Sequence, residues 1–148
     1  MIAATAAITY GVTRKTPANA ALPSGSSTQP TYSAADQAAT KKRICDTFDM
    51  ATREQEGQGA LVTNGQANIT AAVRSLNDVA AIQNVITPSL PANVVTAAQK
   101  YIDANLYLAT DALGNASIEE GNRLNKIAND ATFTLADVCG CPTDGVGC

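Results

Sequence analysis

Histidine and tryptophan are both missing from the 148 residues. Without imidazole there is no His-assisted nucleophile, no Cys–His pair, no imidazole metal ligand and no ready proton shuttle near neutral pH. Aromatics make up 4% of the chain, with only two Phe, which counts against a sheet protein built on aromatic and β-branched packing. Positive charge is also in deficit. Ten Lys and Arg stand against 13 Asp and Glu, for a net charge of -3 and a pI near 4.7, so nucleic acid is not an expected partner.

What is there favours helices. Alanine is about one residue in five, and small side chains with high helix propensity let helices approach closely. At 15.2 kDa the chain has room for one ordinary domain. About a quarter of it reads as tail, which leaves roughly 110 residues for a modest core.

The N-terminal region divides in two. Residues 1–15 form an apolar segment: Met1 to Val12 is apolar or small, and Arg14-Lys15 stops it. A bilayer span needs about 20 such residues, so this run alone is too short. It lacks the basic region that precedes a signal peptide's apolar core, although Ala18-Asn19-Ala20 offers a small-x-small cleavage pattern. Three readings stand side by side: the outer end of a signal anchor whose upstream part lies outside this chain, a processed signal segment, or a disordered or docked N-terminus. Residues 16–32 follow, with three prolines among Ser, Thr and Gly, the composition of a flexible linker and, functionally, of a membrane-proximal stalk.

Residues 33–140 predict four helices. Ser33 with Asp36 resembles a capping box, and Ile44, Phe48 and Ala51 then share a face, with Ala38 and Cys45 beside it. The cluster at Glu56-Gly57-Gln58-Gly59 ends that helix. A second helix is expected from about Ala60 to Ile86, with Leu61, Val62, Ile69, Val73, Leu76 and Ala80 as its apolar stripe. On this reading Asn64-Gly65 is a weak spot inside the helix rather than a turn. The third runs from Pro91 to about Leu113 with Val94, Ala98, Tyr101, Ile102, Leu108 and Ala112 inward. Ser117 caps the fourth, Glu119 and Glu120 sit in its first turn, and Ile118, Leu124, Ala128, Ala131, Leu135 and Val138 continue its stripe to Gly140. No segment shows hairpin signals. The expectation is an all-α protein: an antiparallel up-down-up-down four-helix bundle with a disordered N-terminal tail and a disulfide-stapled C-terminus.

The cysteines are Cys45, Cys139, Cys141 and Cys148. An even number, three of them in a Gly- and Pro-containing end, suits an oxidising compartment. In such a bundle the C-terminal end of the fourth helix faces the N-terminal half of the first. That pairs Cys45 with Cys139, provided the first helix projects about three turns beyond the bundle or the fourth ends early. Cys141–Cys148 then closes the small loop of residues 141–148. Two other readings remain. Four thiolates suit zinc, although the spacing is not Cys-x-x-Cys. Cys139-Gly140-Cys141 would suit a redox pair, but a helix C-terminus with Asp137 and Asp144 nearby raises thiol pKa values instead of lowering them.

No constellation assigns a catalytic or metal-binding residue. Asp46, Asp49, Glu54 and Glu56, preceded by Lys41, Lys42 and Arg43, read as a solvated face with intrahelical ion pairs. Asn68-Ile69-Thr70 and Asn115-Ala116-Ser117 match the glycosylation sequon but fall in or against helices. Tyr101 and Tyr107, six apart, point differently, one into the core and one outward. The glycines make no phosphate-cradling loop, and no base stands by to activate a Ser or Thr.

Arg43-Ile44-Cys45-Asp46-Thr47-Phe48 and Val138-Cys139 resemble the small exported or single-pass mycobacterial proteins known as alanine- and proline-rich membrane proteins. The likeness covers roughly Tyr32 to Cys139. It implies a membrane span followed by an outer domain whose first helix carries x-Cys-Asp-Thr-aromatic, with a Cys near the C-terminus. The Cys141-to-Cys148 loop departs from that pattern, as does the lack of a Pro-rich start. The expectation is a non-enzymatic, extracytoplasmic helical domain of the bacterial cell envelope. It would be tethered through the N-terminal segment, bind no cofactor, and act as an accessory or interaction module for another envelope or membrane protein. The alternative is a carrier of a small apolar ligand or lipid between the helices, with ligand-binding residues unknown.

Overall fold

A computed structural model describes residues 30–53, 61–63, 66–114 and 117–141, and its elements all lie in one unit, Thr31–Cys148. The apolar segment 1–15, most of the linker, Glu54 to Gly59, the dipeptides Asn64-Gly65 and Asn115-Ala116, and Cys148 fall outside the described residues.

Helix α1 (Ala34–Arg53) starts where the sequence predicts. The Ser33 Oγ accepts from the Asp36 N–H at 3.1 Å, and the Asp36 carboxylate accepts from the Ser33 N–H at 3.3 Å and its hydroxyl at 2.7 Å. Two backbone donors that a helix start leaves without partners are thereby satisfied reciprocally. Residues 31–39 are all exposed, and burial begins only at Ile44. About 15 Å of helix therefore precedes the core. Thr40 is half-buried and its hydroxyl donates to the Ser89 carbonyl at 3.3 Å, so the free projection is Ala34 to Ala39, about 9 Å and shorter than the three turns expected.

The next segment corrects the sequence reading. Instead of a helix from Ala60, a short antiparallel hairpin forms: β1 (Val62–Thr63) pairs with β2 (Gln66–Ala67), Thr63 opposite Gln66. The Asn68 N–H donates to the Leu61 carbonyl at 2.7 Å and closes its base. Asn-Gly between two β-compatible residues is a strong short-range hairpin signal, and here it outweighs the helix propensity of the neighbouring alanines. Helix α2 (Ile69–Val85) follows, its N-cap Asn68 accepting from the Ala71 N–H at 3.2 Å.

The inward face of α2 is also different from the one expected. Ile69 and Val73 are 57% and 58% exposed, and Ala80 is exposed. Ala72, Ser75, Asp78, Val79, Ile82 and Val85 are buried instead. Leu76 is half-buried.

Thr87 to Leu90 turns the chain, with the Leu90 N–H bonded to the Thr87 carbonyl and the Leu90 side chain buried. Pro91 is the N-cap of α3 (Ala92–Leu113), one residue outside the helix and not in its first turn. Every inward residue expected on α3 is buried. In α4 (Ile118–Cys139) the Ser117 hydroxyl accepts from the Glu120 N–H at 3.2 Å, and Leu124, Ala128, Ala131 and Leu135 are buried. Ile118 is 70% exposed, contrary to expectation, because it opens the first turn before the helix meets its neighbour.

Among the described residues the result is an all-helical architecture of four helices packed against each other, with one small hairpin. The main core draws Ile44 and Phe48 from α1, Val79, Ile82 and Val85 from α2, Val94, Ala98, Tyr101 and Ile102 from α3, and Leu135 from α4. A second cluster of Ala104, Leu108, Leu124, Ala128 and Ala131 lies between α3 and α4 alone, with Leu61 packed on it. Its three alanines let those two helices approach closely, which makes α3–α4 the most extensive helix pair.

Candidate functional site

The chemistry with the sharpest geometry is at the end of α4. Cys45 and Cys139 are joined by a disulfide, Cα atoms 5.5 Å apart, across 94 residues of sequence. This is the pairing expected from bundle geometry. Both residues are half-buried and pack on the edge of the main core together with Val138 and Cys141. Gly140 then turns the chain with φ 79°, a left-handed conformation that residues with a Cβ adopt at a cost. The Cys141 N–H bonds back to the Ala136 carbonyl at 3.0 Å.

Cys141 is itself disulfide-bonded; its expected partner, Cys148, lies outside the described residues. With Cys139 bonded to α1, neither a four-thiolate zinc site nor a Cys139–Cys141 redox pair is formed. Among the described residues no group of three His, Cys, Asp or Glu could hold a metal ion.

The acidic residues of α1 are arranged as a solvated helix face. Lys42 Nζ meets Asp46 at 2.6 Å, and Arg53 pairs with Asp49, both at i,i+4 spacing. Glu54 and Glu56 fall outside the described residues. Asp49 Oδ1 is buried with no hydrogen-bond partner among the described residues, but its other oxygen belongs to the pair with Arg53, so the carboxylate serves that ion pair. On α4, Arg123 donates to both oxygens of Glu120 at 2.5 and 2.7 Å. The hydrogen bonds from Arg123 hold the Glu120 carboxyl below its ordinary range, and the same pairing raises the Arg123 guanidinium. Both groups are at the surface, where such pairs contribute little stability.

The remaining sequence candidates separate cleanly. Tyr101 is buried, edge-on to Phe48 with ring centroids 5.5 Å apart, whereas Tyr107 is 67% exposed. Asn68 is occupied as the cap of α2. Sequence reasoning did not single out three buried polar residues, Ser75, Asp78 and Asn105. The Asn105 side chain donates to the Tyr101 carbonyl at 2.9 Å, a local backbone bond that satisfies one of its donors. Asp78 also takes part in a polar or electrostatic interaction. An acidic residue spaced as a core position is the one signal that could have found it.

No described helix is long and apolar enough to cross a membrane. No family model, curated protein or solved structure matches the chain.

Proposed function

We propose that this chain is a non-enzymatic, extracytoplasmic helical domain of the bacterial cell envelope. In this reading residues 1–15 tether it to a membrane, residues 16–32 act as spacer, and the bundle is an accessory or interaction module for another envelope protein. It takes the resemblance to the mycobacterial alanine- and proline-rich membrane proteins as its guide to location. The helices alternate in direction, up-down-up-down. That arrangement is supported by the Thr40 hydroxyl reaching the Ser89 carbonyl at 3.3 Å, near the end of the bundle where Cys45 meets Cys139.

The observation that carries the reading is the Cys45–Cys139 bond. A bridge between distant helices of a small protein persists in oxidising compartments and is rare in a reducing cytosol. The exposed apolar residues Ile69 and Val73, one turn apart on α2, are compatible with an interaction role, although scattered apolar side chains are ordinary on any surface.

The test is intact mass of the protein from fractionated cells that make it naturally, with and without reduction before alkylation. Recovery in the envelope fraction, with cysteines alkylated only after reduction, is the expected result. The observed N-terminus distinguishes a retained anchor from a cleaved signal. Recovery from the cytosol with free thiols would refute the proposal.

A further inference from the structure

We propose that α1 is a redox-gated strap: reducing Cys45–Cys139 with a dithiol releases α1 from the bundle while α2, α3 and α4 stay packed. The inference stands on how unevenly the helices are held, and does not depend on where the protein resides. Of the 20 residues of α1 only Ile44, Phe48 and Ala51 are buried, whereas α3 buries ten of its 22. The first ten residues of α1 contribute nothing to the core, and the second hydrophobic cluster contains no α1 residue. Losing α1 therefore strips one side of the main core but leaves the α3–α4 seam whole.

The sulfur bridge sits where α1 needs it. Cys45 lies beside Ile44, the first buried residue of the helix; α1 packs chiefly on α2 and meets α4 only lightly apart from the bridge. Three consecutive cations, Lys41 to Arg43, lie just before it, and none is buried; release costs them no solvation. Most helical stability in a protein comes from tertiary packing of the apolar face, so α1 loses most of its protection when it leaves.

The chemistry balances. One thiolate of the dithiol attacks a sulfur of the half-buried bridge to give a mixed disulfide. Its second thiol then displaces the protein sulfur and closes the reductant's own disulfide. Two electrons and two protons pass to the protein, and Cys45 and Cys139 become thiols. Departure of Phe48 uncovers the Tyr101 ring it meets edge-on, together with Val79 and Ile82 of the same core. The reduced form presents an apolar face that the oxidised form covers.

Hydrogen exchange read by mass spectrometry tests this on three samples of the full chain: oxidised, dithiothreitol-reduced, and the double variant Cys45→Ser/Cys139→Ser, which leaves Cys141 untouched. In the oxidised protein, residues 44–53 should be protected. In the other two samples α1 should exchange within about tenfold of an unstructured peptide, while α2, α3 and α4 stay at least about a hundredfold slower. Loss of protection by α2 along with α1, or by all helices in step, would overturn the proposal, since the bond would then secure more than α1. Retained protection of α1 would overturn it as well.

Discussion

Tyr101 and Tyr107 lie six residues apart on α3 and differ almost completely in what they touch. Tyr101 is 2% exposed and fills the space between α1 and α3, against the edge of Phe48. In a chain with two Phe and no Trp, few other side chains supply that volume. Tyr101→Ala should cost about 3–5 kcal/mol in urea unfolding, whereas Tyr107→Ala should change stability by no more than about 0.5 kcal/mol. Charged residues behave differently, because their partners are local. Glu120 is held below its ordinary carboxyl range by Arg123. Its small contribution to stability is therefore fully present above the carboxyl's unfolded-state pKa and is lost as pH falls through the lower folded-state value. Carbon-detected NMR titration of Glu120 should show a depressed pKa that returns toward ordinary in Arg123→Ala. An unchanged titration in that variant would assign the shift to the N-terminus of α4 instead.

At the scale of elements, all four helices were legible, and so was the end of α2 near Ile86; the start of α2 and its inward face were not. Helices α1, α3 and α4 begin at recognisable signals, Ser33 with Asp36, Pro91, and Ser117, and apart from Ile118 their inward stripes follow the expected periodicity. Helix α2 carries apolar residues on two faces. Ile69, Val73, Leu76 and Ala80 make the bulkier stripe at its start, and the pattern that counts hydrophobicity alone selects it. The buried face is Ala72, Ser75, Asp78, Val79, Ile82 and Val85, where two polar residues disguise the periodicity. The hairpin before it has two residues in each strand, too few for alternation to register, so only Asn64-Gly65 announced it. The disulfide was legible because it follows from the order of helices. The two α2 readings differ in a measurable way. Ile82→Ala should cost about 2–5 kcal/mol, and Val73→Ala about 0.5 kcal/mol or less; the reverse order would restore the stripe read from sequence.

For the molecule as a whole, the staple and the core have to be considered together. The core is rich in alanine, and each buried alanine removes little apolar area from water, so hydrophobic burial per residue is modest. Net stabilities of domains this size lie around 5–15 kcal/mol. Against that, a cross-link between residues separated by 94 positions restricts the unfolded chain over most of the folded length. Bonds of this kind typically stabilise by about 2–4 kcal/mol, a large share of the total. The Cys45→Ser/Cys139→Ser variant should therefore unfold at lower urea concentration by an amount equivalent to about 2–4 kcal/mol. Its denaturant slope carries independent information. That slope scales with the surface exposed on unfolding, and if α1 has already left the bundle, the surface that Ile44, Phe48 and Ala51 bury is exposed before the transition begins. The slope should then fall along with the midpoint. A lower midpoint at unchanged slope would mean that all four helices still unfold together and that the bond acts on the unfolded chain alone.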